Sequence, residues 1–150
     1  MKKLRVYADT SVVGGCLDEE FSQDSLALFA MAREGRIILM LSDILANELD
    51  PAPTEVQRVL ADLPPDCFEP IVSDEESAAL RDAYLKSGVV GSKHAADAHH
   101  IALATIARAD LVVSWNFKHV VHWDKIRMFN AVNLQEGYHQ IDIRSPKEIV

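Results

Sequence analysis

Apolar residues along the chain fall into short runs that alternate with longer amphipathic stretches. A short, continuous apolar run is typical of a strand buried on both faces, and an apolar stripe at helical spacing is typical of a helix. One weaker run contains Pro70, which indicates a sheet edge because proline cannot donate a backbone hydrogen bond. The predicted strands are Leu4–Ala8, Ile37–Leu41, Cys67–Val72, Leu111–Trp115 and His139–Ile143.

Helical patterns separate these strands. Gly35 lies just past the first helix, Ser42 can cap the second, and Pro51 stops it. Strands that alternate with helices favour a parallel sheet covered by helices, so we expect an α/β fold in one domain, residues 1–150. The predicted helices are Ser22–Glu34, Asp43–Leu49, Thr54–Leu63, a segment from a capping box at Ser73–Glu76 to about Lys86, Lys93–Arg108 and Lys125–Gln135.

Composition excludes several classes of protein. With 49% hydrophobic residues in 150, the chain can bury enough apolar surface to fold, so it is not disordered. Its longest purely apolar run, Leu26–Ala32, is far shorter than the roughly 20 residues of a membrane span, and its start has no apolar segment of signal-peptide length. Cys16 and Cys67 have neither metal-ligand nor redox spacing. We therefore expect a cytoplasmic protein with reduced thiols and no membrane partner.

The net charge of −8 argues against a general attraction to nucleic acid, which depends on Lys and Arg. Carboxylates can still act on a polyanion by holding divalent metal ions, so the positions of the acids matter. Asp9 directly follows the first strand, and ligands of an open parallel sheet bind beyond the carboxyl ends of its strands. Alternatively, Asp9 or Ser11 simply caps the next helix.

Two further acids lie on predicted helices. Glu48 shares a helix face with Ile44 and Leu45, and a carboxylate on an apolar face has to be paired or bound to a metal. The alternative is that Glu48 lies at the edge of that stripe, in water. Asp97 lies near the start of the Ala-rich helix, where it could serve a site at the strand ends or only complement the positive helix N-terminus.

Asn116 follows the fourth strand as Asp9 follows the first. Its carbonyl oxygen could ligate a hard cation, or the residue could be an ordinary strand-ending turn residue. Together with the three acids, it falls at one edge of the predicted sheet. Mg²⁺ prefers oxygen ligands, and pairs of such ions promote in-line phosphoryl transfer. The pattern therefore points to metal-dependent phosphoryl chemistry at this edge.

Four short motifs, in this order, resemble those of the PIN-domain nucleases. Within that family the VapC-like proteins, the toxins of type II toxin–antitoxin pairs, are the most similar branch. The resemblance covers essentially the whole chain. The motifs are Asp9-Thr10-Ser11, Glu48 on its short helix, Asp97 leading into His100-Ile101-Ala102-Leu103-Ala104, and Ser114-Trp115-Asn116-Phe117.

The resemblance implies a fold, a reaction and a set of site residues. The fold is three-layer α/β/α with a five-stranded parallel sheet in the order 3-2-1-4-5, and the reaction is hydrolysis of RNA phosphodiesters with Mg²⁺ or Mn²⁺. Asp9, Glu48 and Asp97 match the first three family acids and would hold the metal. Asn116 stands where the family has a fourth acid, so the site carries three charges rather than four. We expect Asn116 to position the attacking water or a metal ligand.

Other residues are expected around these four. Thr10 or Ser11 matches the hydroxyl residues that accompany the first acid, and Ser114 matches the one that precedes the fourth position by two. His100 is expected to line the acidic site. Lys118 is the first candidate for a cation that stabilises the pentacovalent oxyanion, although it could equally be a solvated surface lysine.

Three other interpretations concern the histidines, the aromatic residues and the missing acid. A zinc site at the adjacent His99 and His100 is disfavoured, since neighbours on a helix point about 100° apart. Aromatic side chains could stack on bases; we expect Trp115 and Phe117 in the core and Trp123 at the surface. A non-catalytic module that binds RNA or a protein is the alternative from another class, favoured by the missing fourth acid and by the net charge.

Expected partners follow from the resemblance as well. RNA is the expected substrate, a small antitoxin is the expected protein partner, and a homodimer is the expected assembly. The apolar helices Ser22–Glu34 and Thr54–Leu63 are places where a partner could dock, although their stripes could simply belong to the core.

Overall fold

The apolar runs of the sequence pair into one sheet. In the computed structural model, which describes residues 2–150, the strands are β1 (Leu4–Ala8), β2 (Ile37–Ser42), β3 (Phe68–Ile71), β4 (Leu111–Val113) and β5 (Asp142–Arg144). All of them are parallel, and their order across the sheet is β3-β2-β1-β4-β5. The predicted fold and strand order are therefore confirmed, and β3, which contains Pro70, lies at an edge.

Helices connect the strands and cover both faces of the sheet. Four helices pack on one face and three on the other, which gives the predicted three layers. Within residues 2–150, no helix is long and apolar enough to cross a membrane. The first group is α1 (Thr10–Gly15), α2 (Ser22–Arg33), α3 (Asp43–Leu49) and α4 (Thr54–Ala61), and the second is α5 (Glu75–Lys86), α6 (Ala95–Ile106) and α7 (Trp123–Gln135).

Alternating side chains of the central strands divide the interior into two cores. In β1, Val6 and Ala8 point to the face covered by α1 to α4, and Tyr7 points to the face covered by α5 to α7. In β2, Leu39 belongs to the first core and Met40 to the second. Because successive side chains of a strand point to opposite faces, a strand covered on both faces has to be apolar throughout.

The strand register brings the carboxyl ends of the central strands to one edge of the sheet. Ala8 pairs with Val113, so the chain leaves β1 at Asp9 and β4 at Ser114 side by side. The Asp9 N–H donates to the Val113 carbonyl (3.3 Å). Polar residues that follow these two strands therefore meet at the edge where parallel sheets bind their ligands.

The last strand differs from its predicted position. β5 begins at Asp142, three residues after the predicted start at His139. The side chain of Asn130 accepts a hydrogen bond from the Ile141 N–H (2.7 Å) and donates one to the Ile141 carbonyl (3.0 Å). Because these backbone groups are taken by a side chain, they are not available to a strand ladder. β4 also ends two residues before its predicted end.

Helix α1 is absent from the predicted elements. It contains two adjacent glycines, Gly14 and Gly15, which have low helix propensity. Asp9 caps α1 by accepting a hydrogen bond from the Val12 N–H (3.3 Å). The capping role considered for Asp9 is therefore correct, and the residue fills it at the same edge of the sheet where the other polar residues gather.

Three helices begin at residues other than those predicted. The capping box of α5 consists of Asp74 and Ser77, whereas Ser73 donates its hydroxyl to Asp43 (2.6 Å). A 3₁₀ turn over Ser92–His94 precedes α6, and α7 begins two residues before its predicted start. The predicted ends of α2, α4 and α6 lie one or two residues past the observed ends.

Gly15 lets α1 pack closely against two buried side chains. A Cβ at this position would lie 2.7 Å from Ser25 Oγ and 2.8 Å from Trp115 Nε1. The Trp115 indole donates a hydrogen bond to Ser25 Oγ (2.8 Å), so neither group can move without losing a partner. We expect Gly15→Ala to lower the free energy of unfolding, measured by urea denaturation, by about 1–3 kcal/mol.

Gly14 provides the matched control, because no atom lies within 4 Å of a Cβ built there. Gly14→Ala should be neutral or should raise the free energy of unfolding by up to about 1 kcal/mol, since alanine has the higher helix propensity. Equal destabilisation by the two substitutions would show that close packing is not what Gly15 provides.

Candidate functional site

Asp9 carries a buried carboxylate at the end of the central strand, and the residue is only 4% exposed. Its Oδ1 accepts hydrogen bonds from the Ser11 hydroxyl (2.6 Å) and the Val12 N–H (3.3 Å). Burial raises the pKa of Asp9, and the charge of His100 and hydrogen bonds from Ser11 and Ser114 offset this only in part. The side chain is therefore fixed in position while its charge is left largely uncompensated.

Two serine hydroxyls tie the end of β4 to Asp9. The Ser11 hydroxyl, which donates to Asp9, also accepts a hydrogen bond from the Trp115 N–H (2.9 Å). Ser114 Oγ lies 3.4 Å from Ser11 Oγ and accepts from the Asn116 N–H (3.0 Å). Both serines were predicted to accompany the acids, and the structure places both beside Asp9 and Asn116.

Glu48 reaches from α3 towards α1 and α6. Its Oε1 accepts hydrogen bonds from the Thr10 hydroxyl (2.8 Å) and from His100 Nε2 (2.5 Å), and its side chain is 34% exposed. Burial acts to raise the pKa of Glu48, but the hydrogen bond and charge of His100 and the hydrogen bond from Thr10 lower it. Glu48 is therefore a paired carboxylate at the rim of the site, neither fully buried nor freely solvated.

A buried series of hydrogen bonds fixes the orientation of His100. The residue is 2% exposed, and its Nδ1 lies 2.7 Å from the Tyr7 hydroxyl. That hydroxyl lies 2.9 Å from Ser42 Oγ, which caps α3. A carboxylate can only accept hydrogen bonds, so the proton between His100 and Glu48 belongs to Nε2. The position of Glu48 thus depends on Tyr7 in β1 and on Ser42 at the end of β2.

Asp97 lies in the first turn of α6, and its side chain is 25% exposed. Its Oδ2 accepts a hydrogen bond from the Asn116 side-chain amide (3.3 Å) and lies 3.6 Å from His94 Nδ1. Burial raises the pKa of Asp97, while the charges of His100 and His94 act to lower it. Asp97 therefore faces the other site residues, as well as lying at the N-terminus of its own helix.

The side-chain amide of Asn116 uses both of its ends. Nδ2 donates to Asp97, and Oδ1 accepts from the backbone N–H groups of Lys118 (3.2 Å) and His119 (2.9 Å). A carboxylate could accept from the same two N–H groups but could not donate to Asp97. Asn116 therefore holds Asp97 and shapes the following turn. The side-chain carbonyl oxygen of Asn116, which was considered as a metal ligand, already accepts two hydrogen bonds from that turn.

The turn after Asn116 carries further polar groups beside the acids. The ring of His119 stacks on that of His94, with centroids 3.7 Å apart, and His94 in turn lies against Asp97. Lys118 is exposed on the same turn, and its backbone rather than its ammonium group contacts Asn116. Lys118 forms no ion pair within residues 2–150, so its role as the cation of the site stays a prediction beside the alternative of a solvated surface lysine.

The aromatic residues of this region divide between core and surface. Trp115 is buried as predicted, with Phe21 stacked on it at 4.3 Å. Phe117, also predicted in the core, is 49% exposed, because Phe21 already fills the space beside Trp115 and Phe117 meets that ring only edge-on at 6.2 Å. Trp123 is 70% exposed, in agreement with its predicted place at the surface.

The three acids are close enough for each to influence the ionisation of another. The charge of Asp97 raises the pKa of Asp9, and the charge of Glu48 raises the pKa of Asp97. None of the three forms an ion pair with Lys or Arg among residues 2–150. Mutual repulsion without a Lys or Arg partner makes this a region of concentrated negative charge.

The oxygen donors at this edge suit a hard divalent cation such as Mg²⁺ or Mn²⁺. Within residues 2–150, however, no three His, Cys, Asp or Glu side chains lie close enough together to hold a metal ion as they stand. The hydrogen bonds of Glu48 with Thr10 and His100 use its Oε1, and that of Asp9 with Ser11 uses its Oδ1. The residues fit such an ion in their chemistry, and binding one would require the three carboxylates to approach one another.

Sequence reasoning missed Tyr7, Ser42 and His94 as members of the site. Tyr7 lies in a predicted strand. The only sign of its role in the sequence is its hydroxyl group, which needs a polar partner once the side chain is buried. His94 lies three residues before Asp97, a helical spacing that could have pointed to their contact.

No protein-family model and no curated protein matches the sequence. Two solved structures do match the fold. One is the crystal structure of VapBC2 from Rickettsia felis bound to a DNA fragment from their promoter, with a TM-score of 0.56 and 14% identity over 77% of this chain and 90% of that chain. The other is that of FitAcB from Neisseria gonorrhoeae, with a TM-score of 0.56 and 18% identity over 96% of this chain and 99% of that chain. At these identities the likeness shows that the chains share a fold.

We expect Asp9→Asn to stabilise the metal-free protein at neutral pH. Because folding raises the pKa of Asp9, its contribution to stability falls as the pH rises from the ordinary Asp value of 3.8 through the higher folded value. Asparagine keeps the capping oxygen and carries no charge. The free energy of unfolding at pH 7 in EDTA, measured by urea denaturation, should therefore rise by roughly 1 kcal/mol.

The same comparison at pH 3.5 should show little or no gain, because aspartate is then largely protonated in both states. Asp62→Asn, at an exposed position at the end of α4, is the control and should change stability at neither pH. A loss of stability at pH 7, or an equal gain at both pH values, would contradict the uncompensated charge assigned to Asp9.

Proposed function

We propose that this protein is a metal-dependent endoribonuclease and the toxin of a toxin–antitoxin pair. The observation that carries the proposal is the group formed by Asp9, Glu48 and Asp97, three acids without a Lys or Arg partner within residues 2–150, at the binding edge of a PIN-like sheet. Burial raises the pKa of two of them, which is typical of functional rather than structural carboxylates.

Asp9, Glu48 and Asp97 would hold the ion, Mg²⁺ or Mn²⁺. When bound, such an ion supplies an activated water and neutralises charge on the reacting phosphate. The chain contributes the positions of its ligands. Ser11 holds Asp9, and His100 holds Glu48, each through a single hydrogen bond that can be exchanged for a metal contact.

Asn116 contributes to the same chemistry without being an acid. Its amide fixes Asp97 and shapes the turn that carries Lys118 and His119. A phosphate of the substrate that reaches Asp97 would pass this turn, where the ammonium of Lys118 could bind a phosphate oxygen. The loss of the fourth acid therefore leaves a site with lower negative charge and with Lys118 on a turn whose backbone Asn116 fixes.

The toxin assignment rests on the fold and on the motifs together. The structures with this fold include VapBC2 and FitAcB, and the order of the motifs resembles that of VapC-like proteins. We infer a small antitoxin partner that docks against α2 and α4, a homodimeric assembly, and a cytoplasmic location where RNA is available. Exposed Leu26 on α2 offers an apolar contact for such a partner.

Cleavage of a mixed panel of RNA and single-stranded DNA, in Mg²⁺, Mn²⁺ or EDTA, tests the nuclease. We expect the wild-type protein to cut RNA with metal and not with EDTA. Asp97→Asn should lower the rate by at least about 100-fold, since a metal ligand contributes several kcal/mol to transition-state stabilisation. The rate is measured from the first-order loss of end-labelled substrate.

Asp62→Asn, which removes an exposed carboxylate away from the site, should cut at the wild-type rate. Titration calorimetry with Mn²⁺ supplies a readout that does not depend on finding the right RNA. If neither cleavage nor Mn²⁺ binding is found in the wild type, the nuclease proposal is wrong. The protein is then better described as a non-catalytic module that binds RNA or a protein. The replacement of the fourth acid by Asn116 would explain the absence of catalysis.

Expression in a bacterial host tests the toxin. The wild-type chain alone should arrest growth, and Asp97→Asn should not. Co-expression of the product of a small neighbouring reading frame should restore growth, and that product should co-purify with the chain. Growth arrest that persists in Asp97→Asn would separate toxicity from the acidic site and count against a nuclease toxin.

A further inference from the structure

We propose that Trp123 and Arg127, at the start of α7, form a platform on which an unpaired base of the RNA substrate stacks. The inference rests on the proposed function and specifies the form of its substrate, which has to be single-stranded where it crosses α7. In a duplex the faces of the bases are covered by their neighbours, so only an unpaired base can offer its ring to an aromatic side chain.

Trp123 is the most exposed tryptophan of the chain, at 70%, whereas Trp115 is buried at 8%. The guanidinium of Arg127 lies 4.5 Å from the centroid of the Trp123 ring, so it covers one face of the indole by a cation–π contact. The contact holds the ring in place and leaves its other face to solvent. An ordered, exposed indole next to a cation matches the stacking sites of proteins that bind single-stranded nucleic acid.

The local charge favours a polyanion. Residues 116–127 contain three cationic side chains, Lys118, Lys125 and Arg127, against one carboxylate, Asp124, in a chain whose net charge is −8. This segment is therefore a positive region on an acidic protein. Because the chain as a whole is acidic, this positive segment is a favourable path for the approach of an RNA strand.

The platform is physically continuous with the acidic site. The backbone carbonyl of Asn116 accepts hydrogen bonds from the N–H groups of Val120 (3.1 Å) and Val121 (2.8 Å), so the chain folds tightly between the site and α7. The side chain of the same Asn116 donates to Asp97. One turn therefore connects the residue that holds Asp97 to the helix that carries Trp123.

Two grooves flank the ridge made by Trp123 and Arg127. A groove of about 590 Å³ is lined by His122, Lys125 and Arg127 among others, and a groove of about 430 Å³ is lined by Trp123, Val121 and Ile126. Both volumes fall in the range of roughly 300–1,000 Å³ typical of ligand clefts. The first groove offers Arg127 to the RNA backbone, beside Asp124 and with the ammonium of Lys125 donating to the Val89 carbonyl (2.6 Å). The second groove offers an apolar wall for a base.

Two acidic residues line the second groove, and one arginine offsets part of their charge. Arg144 pairs with Asp142 (2.9 Å) and with Glu148 (3.3 Å) on the wall that faces Trp123. The face of α7 that carries Trp123 continues with apolar Ile126 three residues later and then with polar Arg127 and Asn130, four and seven residues later. A protein interface favours a continuous apolar centre, which this face lacks, so the features fit RNA better than a second protein.

The test compares Trp123→Ala, Trp123→Phe and the control Leu134→Ala, which removes another exposed apolar side chain of α7. Binding is measured by fluorescence anisotropy in EDTA, with a labelled 12-nucleotide single-stranded RNA and with the same RNA annealed to its complement. We expect Trp123→Ala to weaken single-strand binding by about 5- to 100-fold. Trp123→Phe should recover most of the affinity, and Leu134→Ala should retain it.

Duplex binding should change far less than single-strand binding in Trp123→Ala, because it depends on phosphate contacts alone. Unchanged single-strand affinity in Trp123→Ala, or an equal loss for the duplex, would overturn the platform. The platform would also be overturned if Trp123→Ala left RNA binding intact but converted a dimer into a monomer in analytical sedimentation. That result would show that this surface contacts a second copy of the chain.

The binding assay also separates this inference from the proposed function. If the wild type cuts none of the RNAs but binds them through Trp123, the nuclease is wrong and the platform stands. If the wild type cuts RNA and Trp123→Ala binds and cuts the single strand as well as the wild type, the nuclease stands and the platform is wrong. A wild type that neither binds nor cuts RNA would overturn both.

Discussion

The burial of one carboxylate at the end of the central strand is the constraint on which the rest of the site depends. Asp9 is held there because it caps α1 and because Ser11 donates to it. Ser11 and Ser114 supply hydrogen bonds without supplying positive charge. A Lys or Arg would satisfy the carboxylate more fully but would also take the place of a bound cation. Neutral donors keep Asp9 ordered and still able to attract one.

The same arrangement is repeated around the other two acids, with partners that come from different layers of the fold. Glu48 is oriented by His100 in the helical layer, and His100 is oriented by Tyr7 in the sheet. Asp97 is oriented by Asn116, which belongs to the turn between β4 and α7. Because these contacts cross between layers, the site forms only when both cores are packed. Fold stability and site geometry are therefore linked.

Apolar runs locate β2 and β4, because strands covered on both faces leave few polar positions to confuse the pattern. The strand order followed from the family resemblance rather than from the pattern. β5 starts late because Asn130, eleven residues away, binds Ile141, and no local signal reveals such a contact. The acids of the site were recognisable by their places after strands or at helix starts. The partners of those acids were not, since Tyr7 contributes through a contact made across the fold.

Asn116 also reduces the electrostatic cost of having no cation at the site. Three carboxylates rather than four repel one another, and the fourth position contributes a hydrogen bond to Asp97 instead of a further repulsion. The folded state of the proposed nuclease is thereby less dependent on the ion than a four-acid site would be. If the proposed metal dependence holds, such a protein would accumulate intact where divalent ions are scarce, and the supply of ions would govern how active each molecule is rather than how many molecules survive.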